Sequence, residues 1–123
     1  MDAQTMLRTA IVLLAITALG GLLMAGMRLS GRPRPPSSIA MVHGLLAGSG
    51  LTLILYAGFT SGMPGGGWGG LVLLVLAALG GLVLNLRYHS EQRELPIGLM
   101  LGHAGLAVIG FVVLAISAWN LKG

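Results

Sequence analysis

Four apolar runs of roughly twenty residues each, parted by short breaks of Gly, Pro and Arg, occupy almost the whole chain. A membrane-spanning helix needs about 20 consecutive apolar residues, so the runs at 6–29, 39–60, 68–88 and 96–119 each read as one crossing. Helix is the only form open to such segments, because backbone amides in hydrocarbon must bond within their own segment unless a closed barrel is built. None of the runs shows the period-2 alternation of a barrel strand. The breaks are Gly31-Arg32-Pro33-Arg34-Pro35-Pro36, Gly62-Met63-Pro64-Gly65-Gly66-Gly67 and Glu91-Gln92-Arg93-Glu94-Leu95-Pro96, with Pro36 and Pro96 suited to the first turns of their helices.

With 55% hydrophobic and 8% charged residues, where a soluble domain carries about 25% charge, a water-soluble globule is excluded. Too few residues lie outside the spans for a separate catalytic or nucleic-acid-binding domain. We therefore read residues 1–123 as a single all-α membrane domain, a four-helix bundle. The first run is about twice the usual apolar length of a signal peptide and continues into a basic loop, so it reads as a span. The absence of cysteine excludes disulfides, thiolate metal sites, iron–sulfur clusters and c-type haem attachment.

The net charge of +4 reports orientation and not a nucleic-acid partner. Arg28, Arg32, Arg34, Arg87 and Arg93 fall at the first and third breaks, against Arg8 and Lys122 on the opposite side. By the positive-inside rule the Arg-bearing loops are cytoplasmic. Both termini and the Gly-rich loop are then periplasmic, which suits a multi-pass protein of a bacterial inner membrane.

The chain also repeats itself. An ungapped offset of 60 residues lays Ala18-Leu19-Gly20-Gly21-Leu22 on Ala78-Leu79-Gly80-Gly81-Leu82, and His43 on His103. Over positions 12–60 there are 14 identities in 49 pairs, where this composition gives roughly five by chance; the bland alternative is coincidence in a Leu/Gly/Ala-heavy sequence. The reading is two tandem two-helix repeats, about 6–60 and 67–120. Each unit is two spans long, so both enter the membrane from the same side and a pseudo-two-fold axis runs along the membrane normal. In the second arm the matches at 36, 43, 46, 47 and 50 share one helical face. His43 and His103 are then expected at equal depth, facing each other across the axis.

An ionisable residue within a membrane span is expected to face the bundle interior and to have a function. In a square bundle with neighbours 8–10 Å apart the diagonal is roughly 11–14 Å, which leaves room for a planar group between two inward imidazoles. A neutral imidazole can ligate iron through one nitrogen while the other bonds a backbone carbonyl a turn earlier. Two on opposite faces of a haem make a six-coordinate iron suited to electron transfer. Gly20 and Gly80, with Gly21 and Gly81 beside them, lie near the depth of the histidines on the other two helices. Without side chains they let backbone approach a flat ring, or simply let membrane helices pack closely.

These residues resemble the haem-binding four-helix core of membrane b-type cytochromes, in which the second and fourth helices carry histidine ligands and the first and third carry glycines against the ring. The resemblance covers most of the chain and rests on one His and one Gly pair per half. It implies His43 and His103 as axial ligands and Gly20 and Gly80 as ring-facing glycines. Those cytochromes place a second histidine about four turns further along each ligand helix; here those positions hold Tyr56 and Ala57, and Ile116 and Ser117. The resemblance thus implies one haem b per chain. Arg28 and Arg87 become candidates for its propionates, since arginine suits carboxylates.

The expected function is one-electron transfer within a respiratory or other redox chain, with a quinone or a partner protein as donor or acceptor. A reading of a different class is a haem-free packing or assembly subunit, its histidines hydrogen-bonded across the bundle or holding a quinone or lipid headgroup. Association into a homo-oligomer is compatible with either. His89 reads as an interfacial anchor beside Arg87 and Tyr88. The seven methionines follow no repeat symmetry, which gives a His/Met copper site little support. Trp68, Trp119, Tyr56 and Tyr88 mark the interfaces.

Overall fold

The computed structural model describes residues 1–120, and the Lys122 used in the charge count lies outside them. The architecture is all-helical: α1 (Ala3–Leu29), α2 (Ser37–Ser61), α3 (Gly67–Val83) running on as a π-helical segment (Leu84–His89), and α4 (Ile97–Trp119). All four helices, α3 with its π segment included, are long and apolar enough to cross a membrane. The chain has the architecture of a multi-pass membrane protein.

Helix ends follow local chemistry. Asp2 caps α1 by accepting from the Thr5 amide at 2.8 Å, extending the helix three residues beyond the start expected at Met6. That bond, followed by one from the Thr5 hydroxyl, holds the Asp2 carboxyl below its ordinary pKa. Pro36 and Pro96 precede the first helical residue instead of occupying the first turn, and their carbonyls accept from Ala40 and Met100 at 3.2 and 3.0 Å. Both prolines have extended ψ (139° and 123°), so the fixed ring leads the chain into the helix from outside. The Gly-rich loop turns through left-handed φ at Gly62 (82°) and Gly66 (81°), where a β-carbon would be strained.

The π segment was not visible in the sequence. Ser90 N–H reaches back five residues to the Asn85 carbonyl at 2.8 Å, and Arg93 N–H reaches the Tyr88 carbonyl at 2.7 Å. The wider turn carries the third helix to His89, one residue past its expected end.

Within a bilayer, apolar area alone does not hold helices together, and close packing at small residues takes over. The α1–α2 pair meets where a β-carbon on Gly50 would lie 3.0 Å from the Leu14 side chain and 3.4 Å from the Ala10 carbonyl. The α3–α4 pair meets where one on Gly110 would lie 3.0 Å from Leu74 and 3.0 Å from the Gly70 carbonyl. Around these crossings Leu7, Leu14, Ile54, Leu71, Leu74 and Leu114 form one core. That core fills the half of the bundle nearest the chain ends and the Gly-rich loop. In the other half, no residue of 18–29 or 37–49 is buried. The burial there is a small cluster of Leu84, Leu95 and Met100 under the third loop. The bundle is dense at one end and loosely packed at the other, and the histidines lie in the loose half.

Candidate functional site

His43 is the seventh residue of α2 and His103 the seventh of α4, each two turns in from a proline-led start. The structure brings the two imidazoles together: their ring centres are 6.2 Å apart and their planes 70° to one another. His43 Nδ1 lies 2.8 Å from the Thr17 carbonyl on α1, and His103 Nδ1 lies 2.7 Å from the Ala77 carbonyl on α3. A carbonyl oxygen can only accept, so each Nδ1 carries the proton and each Nε2 presents a lone pair. Neither Nε2 makes a hydrogen bond among the described residues.

These bonds correct one expectation. The sequence leads one to expect an accepting carbonyl a turn earlier; it lies on the neighbouring helix, and the glycines explain how it is reached. A β-carbon on Gly21 would sit 3.0 Å from His43 Cε1, and one on Gly81 would sit 3.0 Å from His103 Cε1. At Gly20 and Gly80 the nearest histidine atoms would be 3.9 and 3.7 Å away, ordinary contact. Gly21 and Gly81 therefore let each imidazole lie flush on the adjacent backbone. There it reaches the carbonyl four residues before the glycine, Thr17 or Ala77, one helical turn away.

Thr17 and Ala77 act through backbone oxygen, which is why the sequence did not single them out. Their side chains differ although their position in the site is the same. The available signal was positional: each lies one turn before a Gly-Gly pair.

Arg28 and Arg87 are not brought together. Arg28 donates from Nε to the Leu95 carbonyl at 2.8 Å and pairs with Glu94. Arg34 donates to the Gln92 carbonyl, Leu95 N–H to the Pro33 carbonyl at 3.1 Å, and His89 Nε2–H to the Pro35 carbonyl at 2.9 Å. These contacts bind the two Arg-bearing loops to each other, and His89 is one of the ties. Arg87 instead lines a groove with the exposed Leu79, Leu82, Val83 and Leu86, on the side of the third helix turned away from the bundle.

Four turns along from the histidines, Tyr56 and Ile116 are exposed while Ala57 and Ser117 are buried. At that level the bundle interior is filled by Ile54 and Leu114 with Leu14 and Leu74. Ser117 donates within reach of the Gly65 and Val113 carbonyls, at 3.0 and 2.9 Å, tying α4 to the Gly-rich loop. Among the described residues there is no group of three or more His, Cys, Asp or Glu able to hold a metal ion. The site is thus a pair of parallel constructions, each an imidazole locked in one tautomer by a carbonyl of the neighbouring helix.

No family model, curated protein or solved structure matches the chain.

Proposed function

We propose that the chain is a membrane b-type cytochrome, binding one haem b between His43 and His103 and passing single electrons in a redox chain. The observation that carries this reading is the 6.2 Å separation of the ring centres. Two imidazole nitrogens bound to one metal at about 2.0–2.1 Å each would put the ring centres about 6.3 Å apart. Two imidazoles alone would leave most metal ions short of donors, and a porphyrin would supply the remainder at once. When bound, the group would supply a one-electron iron couple.

The protein's own part is to fix the Nδ1–H tautomer and leave each Nε2 lone pair free to ligate. The packed core of Leu14, Ile54, Leu74 and Leu114 supports a stoichiometry of one, because it occupies the level where a second haem would need space. Gly20 and Gly80, with nothing tight against them, suit the approach of a flat ring. Electron exchange then involves a quinone or a partner protein. Purified wild-type protein is expected to be red and to yield one haem per chain in a pyridine haemochrome assay. A colourless preparation expressed with ample haem overturns the reading.

A second reading draws on the same pair. Two rings at 6.2 Å and 70° also satisfy edge-to-face aromatic packing. In that case the histidines hold the loose half of a haem-free assembly subunit together, and the colourless preparation is what it predicts.

The duplication and its axis belong to this proposal. Supporting them are the recurrence, 60 residues apart, of the Thr17/Ala77 acceptors, the Gly21/Gly81 contacts and the Gly50/Gly110 crossings. So is the orientation in a bacterial inner membrane, with the two Arg-bearing loops cytoplasmic and the termini periplasmic, which rests on the positive-inside rule. Reporter fusions at Gly66 and at Arg93 are expected to give opposite signals. Matching signals would remove the four-span topology.

A further inference from the structure

We propose that the groove on the outer side of the third helix is a binding site for a phospholipid with an anionic headgroup. Its wall is apolar: Leu79, Leu82, Val83 and Leu86 are each between 47% and 62% exposed. They line one open, shallow depression along a single helix face that ends at Arg87 and Tyr88.

The polar end carries one uncompensated cation, Arg87. Arg87 is exposed, and its guanidinium has no hydrogen-bond or ion-pair partner among the described residues. Arg93 stacks over the Tyr88 ring with its guanidinium carbon 4.9 Å from the ring centre. The neighbouring carboxylates are already engaged, Glu94 with Arg28 and Glu91 near Arg93 at 3.7 Å. Arg87 is therefore left uncompensated at the end of an apolar trough.

The π segment is part of the construction. Arg87 lies four residues after Val83 and eight after Leu79. A run of α-helix drifts about 40° in four residues, and the wider π turn reverses that drift. The guanidinium is thereby kept on the same side as the trough. The distance is also suitable: from Leu79 to Arg87 the helix advances about 10 Å, at 1.5 Å per residue in its α part and less in its π part, comparable to the upper half of one acyl chain.

An acyl chain lying along Leu79, Leu82, Val83 and Leu86 would bring its phosphate to the level of Arg87, where the guanidinium fork can take two phosphate oxygens. A headgroup with net negative charge meets the uncompensated Arg87 at the end of the apolar face. A zwitterionic headgroup would bring an ammonium against the same unpaired arginine. The surface therefore selects by charge. It does so at the membrane face that carries most of the chain's arginines, where anionic lipid is drawn to basic juxtamembrane residues. The proposal does not depend on the identity of any group held by the histidines.

The test reconstitutes the full-length protein and measures association of spin-labelled phosphatidylglycerol and spin-labelled phosphatidylcholine by the motionally restricted component of the spectrum. Wild type is expected to prefer phosphatidylglycerol. Arg87→Gln is expected to weaken that preference about fivefold, the contribution of one surface arginine. Val83→Trp, which fills the trough and leaves the charges in place, should weaken it as well. Arg32→Gln, at an exposed loop arginine outside the trough, should leave it intact. Four results overturn the proposal: no preference in wild type; a preference unaffected by either groove variant; an equal loss in Arg32→Gln, which would assign it to the basic surface as a whole; or displacement of the labelled lipid by inorganic phosphate at millimolar concentration, which would make the site one for free anion.

Discussion

Alanine at His43 or at His103 is expected to abolish the low-spin, six-coordinate haem spectrum, and the two variants should fail alike. Weakening a metal ligand through its supporting hydrogen bond costs about 10–100-fold in affinity, so deleting the ligand itself costs more. What remains is apoprotein or a five-coordinate high-spin remnant. Each histidine is held by one Nδ1–H bond to a carbonyl, at 2.8 and 2.7 Å. Interhelical polar bonds in membrane proteins contribute about 0.6 kcal/mol on average, so both variants should still insert and fold around the Leu7–Leu114 core. His89→Ala removes a tie to the Pro35 carbonyl, costs about 1 kcal/mol and should leave the spectrum unchanged. Pyridine haemochrome content and the reduced-minus-oxidised spectrum of the three variants check all of this. An intact low-spin spectrum in either His43→Ala or His103→Ala would end the assignment of that residue as a ligand, and two haems per chain would end the single-site reading.

How much of this was legible beforehand depends on which physical constraint each feature obeys. The spans were readable because hydrocarbon leaves a long apolar segment no option but helix; their limits moved by a few residues where capping decides, at Asp2 and at Pro36 and Pro96. The meeting of His43 and His103 was also readable, since a 60-residue offset put one inward-facing ionisable residue on each of α2 and α4. The carbonyl partners were not. Thr17 and Ala77 contribute an atom that every residue possesses, so no side-chain pattern marks them. The π segment is equally silent, because it depends on how the third loop closes and not on Leu84–His89 alone. Arg28 shows a third kind of limit. A positive charge at a membrane surface satisfies the positive-inside rule wherever its side chain turns. Only the fold shows that Glu94 and the Leu95 carbonyl, across the bundle in the other loop, take it up.

The glycines allow a sharper test than the histidines, because adjacent residues are assigned different work. A β-carbon on Gly21 or Gly81 meets imidazole Cε1 at 3.0 Å, whereas one on Gly20 or Gly80 finds its nearest neighbour at 3.9 or 3.7 Å. Gly21→Ala and Gly81→Ala should therefore shift the imidazole by a few tenths of an ångström and weaken its bond to the carbonyl. Gly20→Ala and Gly80→Ala should be accommodated. The expected loss in haem affinity for the first pair is about tenfold, the lower end for a ligand whose supporting hydrogen bond is lost, and for the second pair it is small. Leucine at Gly20 or Gly80 goes further, since its branch reaches into the half-buried space beside the imidazoles, and should lower haem content although the residue is at home in a membrane helix. Haem titration of the four alanine variants in detergent, with circular dichroism to verify that helix content is retained, separates the two positions. If the Gly20 and Gly80 alanines lose haem while the Gly21 and Gly81 alanines keep it, the imidazoles are not seated on the backbone of α1 and α3, and the carbonyl bonds do not set the ligand tautomer. If all four behave as wild type, the glycines serve only to bring the helices close, and the histidines hold their place without them.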